Sequence, residues 1–284
     1  MKVIPYTSSD VTPLLDFMVL YESQCVSLIS KVKEGAVPVF VLTDDSGGKI
    51  CGVFSYSHGG TINHCIPLKD GIFNAATVNA VALFLKQCGV HNLFSVIGES
   101  HGTELFQTII QNCFMFTPPY CIKYRLMEYH PAIPVNYISS TEHMKCVKCN
   151  EAMIEELFPM QMDYEKVEVI YNSAPVNPSL CRHTLESAVR ERRVYACVVD
   201  GRIVAKANVS CRGIRSAYIG GVYTLPEERS KGYAEFLMQH IACDLTQNRL
   251  SPTLFVKENN IPAIKAYSNC GFADTGSYKI CYYK

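Results

Sequence analysis

"YTLPEERSKGYAEFL" (residues 223–237) sets Pro226 and two acids ahead of Arg229, then Gly232 and Ala234, just where a helical pattern begins. Upstream, "SAYIGGVYT" (216–224) is strand-like, and its Gly220-Gly221 pair predicts a weakened or bulged strand. Downstream, Ala234, Leu237, Met238, Ile241 and Leu245 fall at helical spacing and form one apolar stripe. The segment therefore reads strand, turn, helix. The first turn of such a helix has free N–H groups and a partial positive charge, which makes it an anion site. Gly232 lets a bulky phosphate approach the backbone, Ala234 keeps the next turn clear, and Arg229 and Lys231 add cationic charge. This is the pattern of a pyrophosphate cradle. The Gly-Lys-Ser/Thr sequence of a nucleoside-triphosphate loop is absent. A basic residue followed by glycine and a small residue also arises by chance, so the loop takes its meaning from its surroundings.

The chain has 284 residues, 48% of them apolar, enough for about two domains with sizeable cores. Equal numbers of acidic and basic residues, 26 of each, leave no net field to recruit nucleic acid or an anionic membrane. The opening "MKVIPYTSSDVTPLLDF" lacks the apolar core of a signal peptide, and no apolar run is long enough to span a bilayer. A cytoplasmic protein is expected. The 14 cysteines are scattered singly, often inside apolar runs such as "VYACVVD", and read as buried reduced thiols rather than a disulfide framework. Cys146 and Cys149 lack a second ligand pair at zinc spacing, so no metal is expected.

The chain repeats itself. "VPVFVLTDDSGGKICGVFSYS" (37–57) is a hairpin pattern, and "RVYACVVDGRIVAKANVSC" (193–211) is the same object with a tighter Asp200-Gly201 turn. "HNLFSVIGESHGTELFQTIIQNCFMF" matches "PTLFVKENNIPAIKAYSNCGF", each a buried strand, a polar turn and a helix, and each is followed by a final strand. The offset stays at about 155–160 residues. The join lies in the Pro- and Ser-rich stretch 128–146. Where the second half has the loop, the first has "IPLKDGIFNAATVNAVALFL" (66–85), with no basic residue at the required spacing before a glycine.

A second signature follows the strand "TLFVK". Asn260 can cap a helix, Pro262 suits its first turn and Gly271 its exit, giving N-x-x-A-x-x-x-Y-x-x-x-G-F from Asn260 to Phe272. Together, "GGVYTLPEERSKGYA" and "LFVKENNIPAIKAYSNCGF" closely resemble the acetyl-CoA-binding signatures of the GNAT N-acetyltransferase superfamily, and the duplicated layout resembles tandem GNAT proteins. The resemblance is specific over about residues 190–284 and only architectural in the first half.

The resemblance implies an acetyl-CoA-dependent N-acetyltransferase of α/β class. It would have two tandem GNAT-like units, each a mixed, mostly antiparallel sheet flanked by helices: a degenerate unit over 1–130, a linker over 131–145 and the working unit over 146–284. By the same resemblance, Val222, Tyr223 and Thr224 present backbone groups to the pantetheine arm and the thioester carbonyl. Residues Arg229, Ser230, Lys231, Gly232, Tyr233 and Ala234 form the pyrophosphate loop, and Asn260 contacts the cofactor. Tyr267 hands a proton to the departing thiolate, a role compatible with a phenol of pKa about 10. Many relatives have glycine where this chain has Ser230. Backbone N–H groups near Val222 and Tyr223, freed by the distorted strand, are candidate oxyanion donors. Tyr164, Glu165, Glu168, His183 and Tyr223 are candidates for a general base, with none singled out. The acceptor implied is a small-molecule or peptide amine. A longer acyl donor, or a silent CoA-binding regulator, stands as the alternative.

Overall fold

The computed structural model describes residues 1–68, 72–90, 92–170 and 175–284. Residues 69–71 of the stretch "IPLKDGIFNAATVNAVALFL", and the histidine that opens "HNLFSVIGES", lie outside them. The chain forms two compact units, Met1–Leu126 with Gly213–Arg215 and Thr275–Lys284, and Met127–Arg212 with Ser216–Asp274.

In chain order the first elements are β1 (Lys2–Pro5), α1 (Thr12–Met18), α2 (Glu22–Lys33), β2 (Val39–Thr43), β3 (Ile50–Tyr56), β4 (Thr61–Cys65), α3 (Ala75–Cys88), β5 (Ser95–Glu99), α4 (Ser100–Phe114) and β6 (Tyr120–Tyr129). There follow β7 (Met144–Lys148), α5 (Ile154–Tyr164), a π-helical turn over Glu165–Val169, α6 (Pro178–Arg190), β8 (Val194–Val199), β9 (Arg202–Arg212), β10 (Ser216–Thr224), α7 (Tyr233–Gln247), β11 (Ser251–Lys257), α8 (Ile261–Asn269) and β12 (Phe272–Tyr282).

Both units carry the same sheet logic. In the first, β1 to β4 pair antiparallel in turn, β4 and β5 run parallel, and β5 pairs antiparallel with β12. In the second, β7 to β10 pair antiparallel in turn, and β10 and β11 run parallel. The expected hairpins are β2–β3 and β8–β9. The second turns on Asp200 and Gly201, with φ of +48° and +81°, as a tight two-residue hairpin requires. Chain order and compact units differ in one respect. The strand that follows α8 pairs with β5, and the strand that follows α4 lies beside β11.

The apolar stripe of α7 is buried as its spacing dictates. Phe236, Leu237, Met238, Ile241, Ala242 and Leu245 lie in one core with Ile219 and Leu254 of the parallel strands. The first unit packs Phe54, Ile62, Leu85 and Phe106 in the same way, with the Phe54 and Phe106 rings edge-on at 5.5 Å. Truncating one such buried phenylalanine to alanine costs about 3–5 kcal/mol.

One expectation from composition is corrected. Cys121 and Cys281 form a disulfide across the adjacent strands β6 and β12, with Cα atoms 4.3 Å apart. The two lie 160 residues apart in the chain, so only the strand pairing reveals them. The other cysteines are free thiols, with Cys25, Cys65, Cys149, Cys181, Cys197 and Cys270 buried. Among the described residues, no helix is long and apolar enough to cross a membrane, and no group of three or more His, Cys, Asp or Glu is placed to hold a metal ion.

Candidate active site

The Gly220-Gly221 pair does bulge the strand. The register of β10 on β9 runs Gly220↔Asn208 and then Tyr223↔Lys206, so one extra residue is accommodated on β10. Gly221 adopts φ +63°, and a Cβ there would lie 2.7 Å from the Asn208 Nδ2. At the same level β10 parts from β11. Their parallel register ends at Ile219↔Leu254, although β10 continues to Thr224 and β11 to Lys257. Val222, Tyr223 and Thr224 thus lie on a strand that has lost its neighbour on one side.

After β10 comes a 3-10 turn (Pro226–Glu228) and then the loop. Ser230 and Gly232 are both left-handed, with φ of +63° and +83°. The first value explains why glycine suits the position after the arginine, because an L side chain there costs roughly 1 kcal/mol or more. Gly232 is the N-cap residue of α7, where no side chain caps the helix, and a Cβ on it would meet nothing within 4 Å. The first-turn N–H groups are therefore open to an anion, and the backbone, not the side chains, is the main donor. Arg229 is exposed and folds back on its own strand, with Nε donating to the Thr224 carbonyl at 3.3 Å and the guanidinium 5.8 Å from the Tyr223 ring centre. Lys231 is ion-paired to Glu228 at 2.9 Å. Tyr233 and Ala234 open the helix, half-buried.

Asn260 uses its side chain as the cap of α8, its Oδ1 accepting from the Ala263 N–H at 3.2 Å. Tyr267 is buried on α8, its ring 6.3 Å from that of Phe272. Burial, with Tyr164, Glu168 and Cys270 nearby, pushes its phenol above the usual tyrosine range. It stays protonated at neutral pH, and outright transfer of its proton is harder than for a free phenol. The base candidates are dispersed. Glu165 accepts from Gln161 Nε2 at 2.9 Å, Glu168 pairs with Lys257 at 2.9 Å, and His183 is exposed on α6. Tyr223 donates to Asp163 at 3.3 Å.

The folded chain brings two side chains, Lys206 and Tyr164, onto the bulge. Lys206 on β9 is fully buried, and its Nζ donates to the Gly221 carbonyl at 3.0 Å. Its ammonium lies 5.1 Å from the ring centre of Tyr164, whose hydroxyl accepts from the Gly221 N–H. Burial lowers Lys206 to about 8 and, with the nearby Glu168 and Glu165, raises Tyr164 to about 12. Tyr164 stood among the candidate bases. Lys206 had one legible signal, a lone charge inside "IVAKANV".

The matching place in the first unit is filled. There the parallel register ends at Asn63↔Ile97, and the next residue, His64, is buried with its ring against Gly98 and Gly102. A Cβ on Gly98 would come within 2.3 Å of that ring. His64 Nε2 bonds Thr103 Oγ1 at 2.9 Å, Nδ1 has no partner among the described residues, and burial lowers the imidazole to about 3.

Comparison with known proteins agrees with this geometry. Residues 155–272 match the Acetyltransferase (GNAT) family. Over the whole length the fold is similar to that of a GNAT-family acetyltransferase from Colwellia psychrerythraea, with TM-score 0.61, 12% identity and 100% of each chain covered. It is also similar to a Drosophila protein, with TM-score 0.67, 10% identity and coverage of 99% and 98%. A tandem GNAT protein from the clavulanic acid biosynthesis pathway aligns with TM-score 0.59, 12% identity and coverage of 100% and 98%. No curated protein matches in sequence. Residues 155–272 thus match the GNAT acetyltransferase family, and the fold of the whole chain is similar to that of a tandem GNAT protein.

Proposed function

We propose that the second unit transfers an acetyl group from acetyl-CoA to a primary amine by direct attack in a ternary complex. The observation that carries this reading is the parting of β10 from β11 beyond Ile219↔Leu254, directly ahead of the uncapped N-terminus of α7. Acetyl-CoA would supply an activated acyl carbon and a thiolate leaving group. The chain's own residues fit it. The first turn of α7 and the left-handed Ser230 and Gly232 receive the pyrophosphate, with Arg229 and Lys231 adding charge at the rim. Val222, Tyr223 and Thr224 offer backbone groups along the unpaired edge, and the Val222 N–H is the candidate oxyanion donor. Asn260 holds the first turn of α8, and with it the helix that carries Tyr267. Tyr267 donates a hydrogen bond to the leaving sulfur. Holding both reactants in one site supplies much of the rate. The acceptor is a small-molecule or peptide amine. The first unit takes no cofactor on this reading, because His64 fills the place where its strands part.

Acetyl-CoA at a hundredfold excess over its dissociation constant is expected to stabilise the protein by about 2.7 kcal/mol. Arg229→Glu should remove that protection in a thermal melt. Equal protection of wild type and variant would sink the cradle. Tyr267→Phe should lower turnover about tenfold or more, read as CoA thiol release on an accepted amine, while leaving acetyl-CoA protection intact. An unchanged rate removes Tyr267 from its role. Protection without thiol release across a broad amine panel would instead mark a binding protein.

A further inference from the structure

Both polar groups of the bulge residue Gly221 are taken out of the sheet ladder by side chains. Its N–H is held by the Tyr164 hydroxyl, and its carbonyl by the Lys206 ammonium at 3.0 Å. The Gly221 carbonyl and the Val222 N–H belong to one peptide unit, and no cis peptide occurs among the described residues. In a trans peptide these groups point in opposite directions, so a donor fixed on the carbonyl aims the N–H the other way. A charged donor on the carbonyl also polarises the amide and strengthens its N–H as a donor. Burying a lysine is costly, and this one lies fully inside the fold with a backbone carbonyl and a ring face close to its Nζ. A shape-matched apolar residue would satisfy packing alone.

We propose that Lys206 is the positioning residue of the oxyanion donor in the second unit, orienting and polarising the Gly221–Val222 peptide so that the Val222 N–H meets the developing thioester oxyanion. The inference rests on the acetyl-transfer reading for its consequence, but not for its geometry. The groups that face Lys206 are Tyr164 on α5, Glu165 on the π-helical turn, Cys181 on α6 and Cys149 after β7. Burial opposes the charged form and Glu165 favours it, leaving a midpoint of about 8. Below that midpoint the peptide is held by an ammonium. Above it, the donor is a neutral amine and the polarisation is lost.

The test uses the full chain labelled with 15N-valine, with the Val222 amide signal identified through a Val222→Ala variant. In the wild type that signal should shift with pH through one step near 8, and in Lys206→Met the step should vanish. A Val222 amide that does not titrate in the wild type overturns the proposal even if the variant fails to fold. So does a step that persists in Lys206→Met. With an amine that the wild type acetylates, Lys206→Met should lower kcat by about 10–100-fold and leave KM for acetyl-CoA within about twofold. The wild-type kcat should also fall as pH rises through 8, a limb the variant lacks. An unchanged kcat in the variant overturns the proposal. Absence of thiol release from the wild type with every amine would overturn the acetyl-transfer reading, while the amide titration would still report on Lys206.

Discussion

Unfolding the protein in denaturant is expected to require about 2–3 kcal/mol less free energy at pH 4.5 than at pH 6.5 on account of one side chain, His64. The imidazole is buried with Nε2 bonded to Thr103, and burial lowers it from 6.5 to about 3. The sign follows from which state takes the proton. The folded pKa lies below the unfolded one, so the contribution is fully present above about pH 6.5. It is lost as pH falls toward 3, because the unfolded chain binds a proton that the folded chain refuses. At about 1.36 kcal/mol per unit, the full loss by pH 3 is about 4–5 kcal/mol. Titrating carboxylates add a background slope, so the measurement is the difference between wild type and His64→Leu. That variant should be less stable at pH 7, having lost the Thr103 bond, yet flatter between pH 6.5 and 4.5. Parallel slopes would show that His64 is not held neutral inside the first unit.

Gly221→Val is expected to lower acetyl transfer by about 100-fold or more and to destabilise the second unit by about 2–4 kcal/mol. A β-branched residue is poorly accommodated at φ +63°, and its Cβ would press on the Asn208 side chain at 2.7 Å and 2.9 Å. Relief of that pressure requires the bulge to shift, which re-aims the same peptide that Lys206 holds. Gly220→Ala is the control. Gly220 is not left-handed, and its added Cβ would meet the Ser210 hydroxyl, a side-chain end that can rotate away. It should retain most of the activity. Wild-type turnover in Gly221→Val would mean that the bulge has no part in the reaction.

Much of this architecture is legible from local chemistry. The Gly220-Gly221 bulge, the Asp200-Gly201 hairpin, the Asn260 cap and the buried stripe of α7 each depend on residues within one or two turns of the chain. Periodicity and turn preferences report such features directly. The motif arginine and lysine were legible as charges but not as contacts. Arg229 turns to Thr224 and Lys231 to Glu228, because exposed side chains bond to whichever partner the loop brings near. Lys206 escaped the pattern for a different reason. Its strand is buried on both faces from Ile203 to Ala207, so alternation carries no signal about which side a charge faces.

By itself the sequence determined the repeated α/β unit, the loop that only the second copy carries, and the family those motifs resemble, since each is a matter of spacing along the chain. Only the tertiary structure decided which final strand pairs with which sheet, and so that Cys121 meets Cys281. An antiparallel place beside a parallel strand accepts either copy's last strand, and nothing in their shared pattern distinguishes them. The tertiary structure also decided that His64 fills one unit's opening, whereas Lys206 holds the bulge at the other's. Both are buried polar residues, and burial against particular partners gives each its role.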